Sequence, residues 1–111
     1  MKFSRSLKLN HVFRRLYAKG GCVAGRYLVL YCRRIGLEEN RVGLPVSKKL
    51  GGAVVRNRAR RRLRECYRLN EHLLRPGYDI VFVARTKTAY LKSTDILSYM
   101  KKHLKEAGVI D

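Results

Sequence analysis

"RVGLPVSKKLGGAVVRNRARRRLRECYR" occupies positions 41–68, and its reading decides the fold. Val42, Leu44 and Val46 recur at every second position, the period of a strand. Pro45 cannot donate to a sheet ladder, so this strand is expected at an edge, or with its Pro45 nitrogen facing outward. "KKLGG" is a turn, and from Ala53 to about Leu74 the period becomes helical. At 100° per residue, Val55, Ala59, Leu63, Cys66, Tyr67 and Leu74 gather on one side, the expected core face. Opposite them, Asn57, Arg61, Arg64 and Arg68 fall within an arc of roughly 60°. Arg60 flanks this stripe on one side, Arg58, Glu65 and His72 lie toward the other, and Arg56 sits nearer the core boundary.

A solvated helix face ordinarily mixes signs at i,i+4 and gains a few tenths of a kcal/mol per pair. Between Arg56 and Arg68 there are seven arginines, no lysine, and Glu65 as the one acid. Arginine offers phosphate a planar, bidentate fork and can stack on bases, which lysine cannot. A phosphate backbone relieves the mutual repulsion, so the stripe is read as an edge that faces nucleic acid.

Outward from this segment, "GRYLVLYCRR" is a strand with Leu28, Leu30 and Cys32 on one side and Tyr27, Val29 and Tyr31 on the other. "GLEEN" is a turn, and a further short strand is expected near Cys22. "SLKLNHVFRRLYAKGG" reads as a helix capped at Asn10 and stopped at Gly20-Gly21, with Phe13, Leu16 and Tyr17 at helical spacing. After the arginine helix, "RPGYD" is a turn, "YDIVFVAR" a buried strand and "TKTAYLK" a loop. "STDILSYMKKHLKEAG" is a final helix with polar caps at Ser93 to Asp95 and Gly108 past its end. The order α-β-β-(β)-α-β-α predicts an α+β domain: one small mixed sheet packed with about three helices, spanning residues 1–111.

The whole chain supports that reading. Its 111 residues suit one compact domain, and 46% hydrophobic content excludes a disordered basic tail. The net charge of +18 comes from 26 Lys and Arg against 8 Asp and Glu, and points to a polyanionic partner. No acid precedes Glu38 and none lies between Glu39 and Glu65, so the basic character is spread and not confined to a tail. The longest apolar runs, "YLVLYC" and "IVFVA", have strand length, and the N-terminus lacks an apolar h-region; a cytoplasmic protein without membrane partner is expected. Cys22, Cys32 and Cys66 form no C-x-x-C pair and are expected as small buried or half-buried thiols in a reducing compartment.

Phe13, Tyr17 and Tyr31 interleave with the charge and suit a stacking platform for single-stranded nucleic acid. Metal-dependent phosphodiester cleavage needs clustered carboxylates. Here the acids are scattered, and His11, His72 and His103, without carboxylate partners in sequence, are expected as surface or helix-face histidines. The residues therefore describe a nucleic-acid binder with no self-contained active site, for which no catalytic residue and no metal ligand is assigned. Two other functions share the charge. A ribosomal or assembly protein would bind structured RNA without processing it. A DNA-binding regulator ranks last, because "GLPVSKKLGG" supplies strand and turn where a helix-turn-helix needs a helix.

"RVGLPVSKKLGGAVVRNRARRRLRE" closely resembles the signature of the bacterial ribonuclease P protein family, in which a strand and a Ser-Lys-Lys-x-Gly turn precede a helix opening with Arg-Asn-Arg. "VFRRLYAKG", "GRYLVLY" and "GYDIVFVAR" agree more loosely. The resemblance implies a subunit that joins a catalytic RNA to remove the 5′ leader of precursor tRNA, with Mg2+ bound mainly by the RNA. It implies RNA binding at Lys48, Lys49, Arg56, Asn57, Arg58, Arg60, Arg61 and Arg64, to which the stripe adds Arg68, and a leader cleft lined by Phe13, Tyr17 and Tyr31 with Arg26 near its rim. It also implies a left-handed βαβ crossover around the arginine helix, against the general preference for right-handed ones. Gly52, Pro45 and Arg62 depart from the family pattern, and local changes are expected in the turn and the edge strand.

Overall fold

The structure is a computed structural model and describes residues 4–6, 21–36, 38–46 and 48–110. Five strands form one mixed sheet: β1 (Ser4–Ser6), β2 (Gly21–Ala24), β3 (Leu28–Arg34), β4 (Asn40–Gly43) and β5 (Tyr78–Ala84), in the spatial order β1-β4-β5-β3-β2. β4 is parallel to both β1 and β5, while β3 is antiparallel to β5 and β2. The two α-helices among the described residues are α1 (Ala53–Asn70) and α2 (Ser93–Glu106). The helix expected from Asn10 lies outside the described residues.

Register explains the core. Side chains alternate across a strand, so paired residues of neighbouring strands share a face. Leu28, Leu30 and Cys32 of β3, Val42 of β4, and Ile80, Phe82 and Ala84 of β5 all face the helices. They meet Ala59, Leu63, Cys66 and Tyr67 of α1 and Ile96, Met100 and Leu104 of α2, all buried. Each large apolar side chain sealed there contributes roughly 1.5–3 kcal/mol. β5 joins the two halves of the sheet, which is why "YDIVFVA" is apolar on both faces; Val81, pointing away from the helices, is as buried as Ile80. α1 is the crossover between the parallel neighbours β4 and β5, so its core face is held against the middle of the sheet.

α2 ends as its glycine predicts. Gly108 has φ +77°, with Gly108 N–H donating to Lys105 O at 3.1 Å and Val109 N–H to Leu104 O at 3.0 Å. That is a Schellman pair, and it turns Val109 into the core.

The expectations fail at four places. Of the two alternatives for the strand around Pro45, the edge is the one that fails: β4 lies between β1 and β5, and its ladder stops at Gly43, before the proline. Val46 resumes pairing only as an isolated bridge to Ala84, although Leu44 and Val46 still pack on the core as alternation predicts. β1 was not expected at all: three residues, Ser-Arg-Ser, carry no apolar pattern. The loop after β5 is a 3-10 turn over Thr86–Tyr90, and α1 gives way to another at Glu71–Leu73. Finally, α2 starts after Lys92, and neither Ser93 nor Asp95 serves as its N-cap.

Candidate nucleic-acid interface

Anchoring one face of α1 in the core fixes what the other face presents. Asn57, Arg58, Arg60, Arg61, Arg64 and Arg68 are exposed, as are Lys48 and Lys49 in the 3-10 turn (Lys48–Leu50) that leads in. Arg56 is half-buried at the core boundary, as the wheel requires, and its Nε is buried without a hydrogen-bond partner.

The arginines are not equivalent. Arg60 Nη1 donates to Asn57 Oδ1 at 3.1 Å. Arg68 forms an exposed ion pair with Glu65, donating through both Nε (3.1 Å) and Nη2. The hydrogen bonds from Arg68 hold the Glu65 carboxyl below its ordinary range, and those to Glu65 raise the Arg68 guanidinium above its own. Both groups are fully exposed, so solvent screens the pair and it adds little to stability. Arg62 belongs to the scaffold: its Nη1 donates to Leu91 O at 2.9 Å, tying α1 to the chain just before α2. The added charge at that position therefore acts as an inter-element tie. Among the described residues, Arg58, Arg61 and Arg64 have neither acidic nor hydrogen-bonding partners, and their guanidinium forks are open to an anion. The stripe read from the sequence is present, with Asn57 and Arg68 already engaged within the helix.

The aromatic residues are less complete. Phe13 and Tyr17 lie outside the described residues. Tyr31 is half-buried on the sheet face away from the helices, between Cys22 of β2 and Val81 of β5. Arg26 is exposed at the β2–β3 turn, its guanidinium 5.7 Å from the centroid of the Tyr27 ring. That turn is heavily buttressed. The Tyr27 ring packs on Tyr99 of α2 at 4.9 Å, and Tyr27 O accepts from Arg85 N–H at 2.9 Å and from the Thr88 hydroxyl.

His103 supplies a further buttress and corrects an expectation. It is buried, not on the surface, with Nδ1 2.7 Å from Tyr99 O and Nε2 3.1 Å from Leu28 O. His72 is exposed as expected, and His11 lies outside the described residues.

A second constellation was invisible in the sequence. Arg41 of β4 grips Asp79 of β5 side-on, Nε to Oδ1 at 2.6 Å and Nη2 to Oδ2 at 2.7 Å. The hydrogen bond to Asp79 raises the Arg41 guanidinium above its ordinary range. Residues 38 apart in the chain carry no local signal of pairing; only the parallel β4–β5 register brings them together.

Among the described residues no three His, Cys, Asp or Glu side chains converge as a metal site. No described helix is long and apolar enough to cross a membrane. The expected burial of the thiols fails at Cys22, which is exposed on β2 at the end of the sheet; Cys32 and Cys66 are buried, and burial pushes both of their thiols up.

Comparison with known proteins agrees with this architecture. A family model described as Ribonuclease P matches residues 1–108. The ribonuclease P protein component of Caldanaerobacter subterraneus subsp. tengcongensis is 46% identical over 105 residues, covering 95% of this chain and 90% of that protein. That of Clostridioides difficile is 41% identical over 112 residues, covering 98% of each. In structure, the RNase P protein of Staphylococcus aureus superposes with a TM-score of 0.86 at 34% identity, over 96% of this chain and 97% of that one. The RNase P protein of Thermotoga maritima does so with a TM-score of 0.83 at 27% identity, over 92% and 96%. With its sequence matched almost from end to end and its mixed sheet shared, the chain belongs to the ribonuclease P protein family, whose role is the processing of the tRNA 5′ leader.

Proposed function

We propose that this chain is the protein subunit of a ribonucleoprotein endonuclease, in which a catalytic RNA cuts the leader from precursor tRNA and the polypeptide binds both RNAs. The observation that carries the reading is the ridge of Arg58, Arg61 and Arg64. Their charges repel one another, have no acid to answer them, and stand on a helix whose opposite face is locked in the core. Such an arrangement persists at a cost unless a polyanion relieves it. α1, with Lys48 and Lys49, docks on the catalytic RNA. The sheet face around Tyr31, with Arg26 at its rim and Phe13 and Tyr17 from the first segment, receives the single-stranded leader.

This reading assigns Mg2+ to the RNA. The protein contributes charge neutralisation and substrate positioning, and no catalytic residue. A left-handed β4–α1–β5 crossover, a single RNA-binding domain and a cytoplasmic location belong to the same reading. The test is cleavage of precursor tRNA by the cognate RNA at low Mg2+. Adding the protein is expected to raise the rate, and no gain over RNA alone would overturn the proposal.

A further inference from the structure

Register places a row of charge across the sheet face that points away from α1 and α2. Arg33 of β3 pairs with Asp79 of β5, Asp79 with Arg41 of β4, and Arg41 with Arg5 of β1. Residues paired across neighbouring strands share a face, so the positions of three arginines and one aspartate line up side by side. Like charges directly opposite one another destabilise a sheet. Arg41 makes one bond to each of the two Asp79 oxygens. Arg33 is exposed and, among the described residues, has no partner.

The side-on grip matters for what Arg41 can still do. A guanidinium has five N–H donors, and Asp79 occupies only the Nε–H and one hydrogen on Nη2. The remaining three, two of them on Nη1, have no hydrogen-bond acceptor among the described residues. Asp79 is 3% exposed, so it holds the Arg41 plane from beneath while the Arg41 side chain stays 30% exposed. A guanidinium orientated by a buried carboxylate and open at its end is a pre-organised phosphate clamp. Tyr31 stands on the same face two residues before Arg33, about 7 Å along the strand. An aromatic ring beside a line of cations is the arrangement that holds single-stranded nucleic acid.

We infer that Arg33 and Arg41, the latter fixed by Asp79, bind backbone phosphates of a single RNA strand whose base stacks at Tyr31, extending the leader path across β3, β5 and β4. The inference rests on the proposed leader-binding role and adds two specificity-determining residues to it. An ion pair serving only to pin β4 to β5 would need neither Arg33 nor the open end of Arg41.

The test uses the holoenzyme reconstituted with its catalytic RNA, and two ligands: precursor tRNA with its leader and the same tRNA without it. Dissociation constants are measured over a range of salt for wild type, Arg33→Gln, Arg41→Gln and, as a distant control on α2, Lys105→Gln. Arg33→Gln is exposed and unpaired, so it keeps the test decisive even if Arg41→Gln, which leaves Asp79 buried alone, melts early. Each row variant is expected to lose affinity for the leader-bearing ligand selectively. Each should also flatten the leader-dependent slope of log K against log salt by about 0.7, the value for one phosphate on a single strand. Lys105→Gln should change neither. A wild-type preference for the leader that Arg33→Gln retains at every salt concentration would overturn the row alone. Equal wild-type affinity for the two ligands would overturn the leader reading, and the row with it.

Discussion

At the residue scale, Gly25 packs directly against His103. A Cβ at Gly25 would sit 2.3 Å from His103 Nε2 and 2.9 Å from Leu28 O. The imidazole has little freedom to yield, since carbonyls face both of its nitrogens: a neutral ring can donate to one of them, an imidazolium to both. Gly25→Ala is therefore expected to cost about 1–3 kcal/mol in a denaturant melt, the usual range for overpacking. The thiols provide a second expectation. Burial raises the Cys32 and Cys66 thiols, so an unfolded chain gives up those protons first as pH rises. Fewer protons bound by the unfolded state means stability falls with pH, beginning near the ordinary thiol range of about 8.5. A series of melts from pH 7 to 10 should show that decline, and replacing both buried cysteines with alanine should remove that part of it. Native alkylation followed by mass spectrometry should label Cys22 quickly and the other two only on unfolding. None of these contacts was legible in the sequence. A histidine at helical spacing gives no sign that a glycine 78 positions earlier makes room for it, and Arg41 and Asp79 meet only through strand register.

The single elements were far more legible. The 3.6-residue period of α1 placed Ala59, Leu63, Cys66 and Tyr67 in the core, where they are buried, whereas Val55 is only half-buried and Leu74 lies past the end of the helix. What periodicity could not show was which arginines are spoken for. Arg68 is engaged by Glu65 and Arg60 by Asn57, whereas Arg61 and Arg64 are not. Arg61→Ala and Arg64→Ala are thus each expected to flatten the salt dependence of catalytic-RNA binding by about 0.7, and Arg68→Ala by less, in filter-binding titrations. The start of the same helix is improvable. Its N-cap, Gly52, offers no side-chain bond, has extended backbone at φ −69°, and has open space where a Cβ would go. Gly52→Asn should stabilise the protein by about 0.5–1 kcal/mol, visible as a raised melting temperature. Pro45 misled for a plain reason. It forbids a ladder bond at its own position, but four residues of strand fit before it, so the chain meets the rule by stopping short instead of moving to an edge.

At the scale of the whole molecule, a charge of +18 on 111 residues weakens the compact state by self-repulsion, and any polyanion that binds only the folded form should restore it. A short polyphosphate at a hundred times its dissociation constant is expected to add about 2.7 kcal/mol, measured by melts at matched ionic strength. An equal shift from sodium chloride alone would show that screening, not binding, is responsible. The α+β class followed from element order, but the strand order did not, since nothing local says that β5 lies between β4 and β3. That placement has a consequence for how the chain is made. Until residues 78–84 exist, β1 with β4 and β2 with β3 are separate pairs sharing no edge, and α1 has no complete floor to lie on. Synthesis runs from the N-terminus at about 5–20 residues per second. For that interval the arginine segment lacks the strand on which its apolar face packs, within reach of the RNA of the ribosome that is building it. The last strand to be made turns an adhesive tail into a defined surface.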